Sequence, residues 1–377
     1  MMARLGDICE VLNGYAFKSE KYTSSGVRII RIANVQKGYI EDTAPAFYPI
    51  DTTDIEKYTL YEDDLLISLT GNVGRVALLK KEFLPAALNQ RVACLRLKDS
   101  AQYDKSFLYC FLNSDYFENK CIQSAKGVAQ KNMSIEWLKE YQIPNLSLVE
   151  QKEIAAVLNK ISELISARTM QLSKMDMFVK SRFIELFGDP VSNSMGLPTE
   201  PMTTVCTIID GDRGKNYPKQ DEFSDTGYCL FLNAKNVTAT GFSFENRMFI
   251  TKEKDDALHN GKLERGDVVL TTRGTLGNLA FYDDSVPFEN VRINSGMVIL
   301  RMKKSVMTEV FFMEQFKLQL QSIKGKIASG SAQPQLPIST MNKIRILLAP
   351  MALQEQFAAF VEQTDKSKLC GNMEAAA

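Results

Sequence analysis

The residues in this chain with the types and spacing to do chemistry lie in four short polar segments, and each segment occurs twice. Asn13-Gly14-Tyr15-Ala16-Phe17-Lys18 stands against Asp210-Gly211-Asp212-Arg213-Gly214-Lys215. Arg31-Ile32-Ala33-Asn34 stands against Asn233-Ala234-Lys235-Asn236. Thr70-Gly71-Asn72-Val73-Gly74-Arg75 stands against Arg273-Gly274-Thr275-Leu276-Gly277-Asn278. Lys126-Gly127-Val128-Ala129-Gln130-Lys131-Asn132 stands against Ser329-Gly330-Ser331-Ala332-Gln333-Pro334-Gln335. Glycines at fixed places hold the turns, and Arg, Lys, Asn, Gln, Thr and Ser fill the positions between them. Such side chains contact phosphates and read base edges: Arg or Lys at guanine, Asn or Gln at adenine. The candidate contacts in the first copy are Tyr15, Lys18, Arg31, Asn34, Thr70, Asn72, Arg75, Lys126, Gln130, Lys131 and Asn132. In the second copy they are Arg213, Lys215, Lys235, Asn236, Arg273, Thr275, Asn278, Ser331, Gln333 and Gln335. Ordinary hairpin turns are built from the same residue types, so for any single position the plainer reading stands beside the functional one.

The segments sit inside a longer repeat. Residues 60–77 (LYEDDLLISLTGNVGRVA) align without a gap to 263–280 (LERGDVVLTTRGTLGNLA) at an offset of 203. Residues 127–158 align to 330–361 at the same offset. A repeat of this length is too long for a solenoid unit and means two homologous domains, each with its own core. In the first, 27–35, 65–69, 76–79 and 92–97 read as strands and 106–125 as one helix. In the second, strands are expected near 229–232, 268–271, 278–282 and 297–302, with a helix over 309–324.

Between the domains the pattern changes to heptads. Ser147-x-x-Glu150 after Pro144 is a capping box. Ile154, Ile161 and Met175 fall at one seam position, and Leu158, Ile165, Leu172, Val179 and Leu186 at the other. Gly188-Asp189-Pro190 ends the run. A seam this narrow on so long a rod requires a partner helix. A second helix, 351–368, repeats its start through Gln151/Gln354 and Ala155/Ala358. The central helix would hold two DNA contacts at most roughly 17 base pairs apart, at about 1.5 Å per residue and about 3.4 Å per pair.

Composition narrows the function. The 377 residues carry 45% hydrophobic and 24% charged side chains with zero formal net charge. That balance is globular, and it argues against nucleic acid as a sole, independent partner. No apolar run reaches the length of a membrane span and no signal-peptide layout opens the chain. Seven scattered cysteines read as free thiols in a reducing cytoplasm. The one histidine, His259, lies in a charged stretch read as solvated surface, so multi-histidine metal sites are excluded. Neither a phosphate loop nor a dinucleotide fingerprint occurs. The acidic pairs Asp63-Asp64, Asp255-Asp256 and Asp283-Asp284 read as solvated turns. Three classes remain: a non-catalytic DNA reader, a stand-alone DNA-modifying enzyme, and a tandem carbohydrate- or protein-binding module.

The order of domain, Pro then Glu-Gln helix, domain, Pro then Gln-Glu-Gln helix resembles the DNA-specificity subunit of type I restriction–modification systems. Ile143-Pro144, Glu150-Gln151-Lys152-Glu153-Ile154, Asp64-Leu65-Leu66-Ile67 with Gly71 and Gly74, and Asn89-Gln90-Arg91 carry the resemblance. It implies an α+β fold: two homologous mixed α/β target-recognition domains, 1–146 and 198–349, joined by long helices that form an antiparallel coiled coil. The spacer helices would be 147–188 and, shorter, 350–369. It implies no catalysis and no cofactor in this chain. Double-stranded DNA, two methyltransferase subunits using S-adenosylmethionine, and restriction subunits using ATP and Mg would be its partners. The short second helix would leave residues 175–186 uncovered. Either the chain is truncated, or a second copy (self-association) or a methyltransferase subunit covers them.

Overall fold

Each half of the chain builds a four-stranded antiparallel sheet from its short β-branched runs. The structure, a computed structural model, describes residues 2–49, 53–125, 131–328 and 335–374. It divides into two compact units, Met1–Arg168 and Thr169–Ala377, with the boundary inside one long helix. In the first unit the strand order is Cys9–Asn13, Val92–Leu97, Leu65–Ser68, Val76–Leu78. In the second it is Cys206–Asp210, Met297–Met302, Asp267–Thr271, Leu279–Tyr282. Each unit adds a second sheet around one parallel pair: Val27–Ile30 with Ala86–Leu88, and Cys229–Leu232 with Val291–Ile293. The sequence repeat is a repeat of topology.

Two local expectations are corrected. The strand expected over 27–35 stops at Ile30, because Arg31 N–H donates to the Asn34 side chain at 2.9 Å and turns the chain. The single helix expected over 106–125 is two, Lys105–Leu112 and Asp115–Ser124. Ser114 starts the second by accepting Phe117 N–H at 3.2 Å.

The acidic turns are also not all solvated. Asp64 is buried and takes Arg96 at 2.7 Å, and Asp267 takes Arg301 at 2.8 Å in the second unit. Asp255 is fully buried between Arg292 and Lys262.

The central helix, Leu148–Phe187, is 40 residues long and opens on the expected capping box. The repeated glutamines fix each spacer helix to its own domain. Gln151 accepts Asp104 N–H at 2.9 Å and donates to Gln102 and Leu146 carbonyls. Gln354 accepts Thr308 N–H at 2.9 Å and donates to Val306 and Ala349 carbonyls. Both are fully buried, so each amide satisfies backbone groups that water cannot reach.

The C-terminal helix runs Met351–Glu374, longer than expected. Within the second unit it packs antiparallel on the end of the central helix. Phe357 meets Phe183 and Phe187 at 5.5 and 5.6 Å, Phe360 meets Phe178 at 5.1 Å, and Lys368 reaches Asp176 at 2.8 Å. The expectation that 175–186 is uncovered is therefore corrected in part: Val179 and Phe183 are buried, while Met177, Phe178 and Ile184 stay exposed. An antiparallel partner that starts beside Phe187 covers that end first. Further exposed apolar residues lie earlier, at Ile154, Val157, Leu158, Ile161, Leu164, Ile165 and Met170. Among the described residues no helix is long and apolar enough to cross a membrane.

Candidate nucleic-acid interface

In the first unit the four polar segments are brought to one place by backbone and side-chain hydrogen bonds. Tyr15 N–H donates to Leu88, and Gln90 N–H donates back to Tyr15 at 3.0 Å, laying the first segment along Asn89-Gln90-Arg91. Leu69 N–H donates to Arg91 at 3.0 Å, which brings in the third segment. Gly71 N–H donates to Lys131 at 3.0 Å and Thr70 Oγ1 to Asn132 Oδ1 at 3.1 Å, which brings in the end of the fourth. Arg75 donates to Gln36 beside the second segment.

The second unit repeats the arrangement. Arg213 reaches the Ser295 carbonyl at 3.4 Å, and Thr272 N–H donates to Gly296 at 2.8 Å. Leu336 N–H donates to Thr272 at 3.1 Å. Thr275 Oγ1 reaches the Ala234 carbonyl at 3.4 Å, and Asn278 Nδ2 donates to Val237 at 2.9 Å. A cleft of about 270 Å3 opens among these segments.

Three devices that sequence reasoning missed, or saw only in part, hold this frame. The buried Ser68 hydroxyl donates to the Asn72 carbonyl and accepts Arg75 N–H at 3.1 Å. Thr271 does the same with the Thr275 carbonyl and Asn278 N–H, at 2.5 and 2.9 Å. Gly14 and Gly211 are required because a Cβ at either would lie 2.2 Å from the backbone of Asn89 or Asn294. Asp212, buried beside Arg213, accepts the N–H groups of His259 and Asn260. Burial alone would raise its pKa; the backbone N–H groups outweigh that and leave it lowered. The hydroxyl device carried the weakest signal, a Ser or Thr three residues before the first glycine of the third segment.

The candidate side chains fall into three groups. Lys18, Asn72, Lys131, Asn132, Arg213, Lys215, Lys235, Arg273, Thr275 and Gln335 are exposed. Tyr15, Arg31, Thr70, Arg75 and Asn278 are half-buried, Tyr15 packing on Phe17 and Tyr58 at 5.1 and 5.2 Å. Asn34 and Asn236 are buried and internally satisfied, which corrects their assignment as contacts. Asn34 accepts Arg31 N–H and donates to the Glu41 carbonyl; Asn236 accepts Asn233 N–H and donates to the Ser243 carbonyl. Their amides close the same turn twice. Lys126, Gln130, Ser331 and Gln333 lie outside the described residues.

Among the described residues no group of three or more His, Cys, Asp or Glu is placed to hold a metal ion. Burial pushes the Cys9, Cys121, Cys206 and Cys229 thiols up to about 12, far from the thiolate a nucleophile needs. His259 is exposed, and only its backbone N–H touches the frame.

Known proteins share this architecture. The chain is 38% identical over 168 residues to the type I restriction enzyme EcoAI specificity subunit of Escherichia coli, covering 43% of this chain and 28% of that one. It is 29% identical over 182 residues to the MjaVIII specificity subunit of Methanocaldococcus jannaschii, covering 46% of this chain and 42% of that one. It is 26% identical over 323 residues to the EcoBI specificity subunit of Escherichia coli, covering 79% and 64%. The matched regions thus span between about a quarter and two thirds of these relatives. The crystal structure of a type I restriction-modification S subunit from M. genitalium shares the fold with a TM-score of 0.56 at 18% identity, covering 100% of this chain and 92% of that chain. The family described as type I restriction modification DNA specificity domain matches residues 1–174 and 202–370, and the chain belongs to that family.

Proposed function

We propose that this chain is a non-catalytic DNA-reading subunit that recognises a split, asymmetric duplex target, one half through each domain. The observation that carries the reading is the doubled constellation. Two frames with the same sheet order, the same close-approach glycines and the same hydroxyl-tied loop present different polar rims. A fixed frame with varied tips is what two readers of different short sequences need. One relative in fold, with a TM-score of 0.50 at 16% identity, comes from a study of complex assembly in the type I R-M system. By the same reasoning the chemistry here resides in partners. Two methyltransferase subunits would supply S-adenosylmethionine chemistry, and restriction subunits would supply the ATP- and Mg-dependent steps, in the cytoplasm.

Mapping modified adenines in the source genome, with and without this gene, tests the reading. A bipartite motif that disappears with the gene supports it. An unchanged modification pattern contradicts it. Binding of duplex DNA by the purified complex should also fall steeply with rising salt, through counterion release, whereas a carbohydrate reader would show no such slope.

A further inference from the structure

The cleft in the second domain has a rim of Asp210, Arg213, Arg273 and Gln335, with the buried Val298 and Leu336 lining its apolar side. The two arginines differ. Arg213 is committed, with Nη2 at 3.0 Å from the Asp210 carboxylate and also on the Ser295 carbonyl. Arg273 is exposed and its side chain has no partner among the described residues, while its backbone N–H is fixed on Gly296 at 3.3 Å.

This arrangement suits a base edge better than a phosphate. Asp210 neutralises Arg213 and repels an approaching anion. It also places an acceptor on the same cleft rim as the free arginine donor fork. That fork matches guanine O6 and N7, and a carboxylate accepts from the cytosine amine. At the corresponding places the first domain has Asn13, Ala16, Thr70 and Asn132, with Thr70 bonded to Asn132. No arginine or carboxylate stands there.

Resting on the DNA reading above, we infer that Arg273 reads a guanine in the half-site of the second domain, and that the first domain makes no equivalent contact. The test uses the native complex, purified through a tag on this chain, and a randomised duplex DNA library. Wild-type complex should enrich a two-part motif with guanine at a fixed place in one part. Arg273→Ala should lose preference at that position by roughly tenfold to a hundredfold and leave the other part intact. Uniform weakening across all sequences, with a salt slope reduced by about 1, is the signature of a phosphate contact and overturns the assignment. An unchanged motif overturns it too, while leaving the DNA reading standing. A wild-type complex that enriches no sequence overturns both.

Discussion

Where the first domain places Ala87 in its second sheet, the second places Arg292; the two pair with Ile29 and Phe231 in matching registers. Around Ala87 the space is filled by Phe17, Tyr48 and Ile55. Around Arg292 it is filled by charge. The guanidinium bonds the Asp255 carboxylate and takes the carbonyls of Asn260, Asp255 and Leu258 at 2.7, 2.8 and 3.1 Å. Lys262 reaches the other Asp255 oxygen at 2.5 Å. One backbone task, fixing the segment next to the first polar loop, is done by apolar packing in one domain and, in the other, by a buried ion cluster added to an apolar cluster of Cys229, Phe231, Ile250 and Leu258. The apolar version tolerates small changes, whereas the ionic version fails as a unit, because removing one partner strands the rest.

The largest predicted effect follows directly. Arg292→Ala should destabilise the second domain by about 3–5 kcal/mol, because Asp255 stays buried with Lys262 alone and three carbonyls lose their donor. Trp137, the only tryptophan, lies in the first domain, so its fluorescence reports that domain while circular dichroism reports both. The dichroism transition should move and the fluorescence transition should not; a joint shift breaks the comparison. Acid should act at the same place. Burial alone raises the Asp255 pKa, but Lys262 and Arg292 outweigh it and leave the carboxyl lowered. A lowered pKa contributes stability above the unfolded value, about 3.9, and loses it as pH falls through the folded value. The second domain should therefore weaken below about pH 4, and Arg292→Ala should shrink that step in its acid titration, since Lys262 alone then holds the carboxyl down.

Shared devices should cost the same in both halves. Gly14→Ala and Gly211→Ala each push a Cβ into backbone 2.2 Å away, and each should cost about 1–3 kcal/mol or more in thermal melts. Asn34→Ala and Asn236→Ala each orphan buried backbone groups, at roughly 1–3 kcal/mol, and should change stability without changing base preference. An altered motif with unaltered stability would return these two residues to the list of contacts. The smallest effects belong to the rim. Arg75→Ala or Lys131→Ala should weaken DNA binding by the assembled complex several-fold and reduce the salt slope by about 1; Lys131→Ala should leave melting unchanged, whereas Arg75→Ala also loses the bond to Gln36.

Much of this was legible in the sequence, for physical reasons. The offset of 203 residues exposed the duplicated frame, and the capping box with its terminal glycine bounded the central helix to within a residue. The strands at Val92–Leu97, Cys229–Leu232 and Met297–Met302 fell where β-branched runs placed them. Periodicity could not show that Asn34 and Asn236 spend their amides inward, since a polar residue in a turn looks alike whether it faces water or its own backbone. Nor could it show that Val179, Phe183 and Phe187 form the buried end of the central helix. That depends on where the partner helix starts, which is a tertiary fact. The convergence of the four segments rests on hydrogen bonds between residues up to 82 apart, beyond any local pattern.

The account stands or falls on whether each domain reads its own half of the target. The most direct measurement replaces residues 1–146 with the equivalent domain of another family member and sequences the sites modified by the resulting complex. The account predicts that one half of the motif changes and the other, read by the second domain, stays the same. A change in both halves, or in neither, would contradict it.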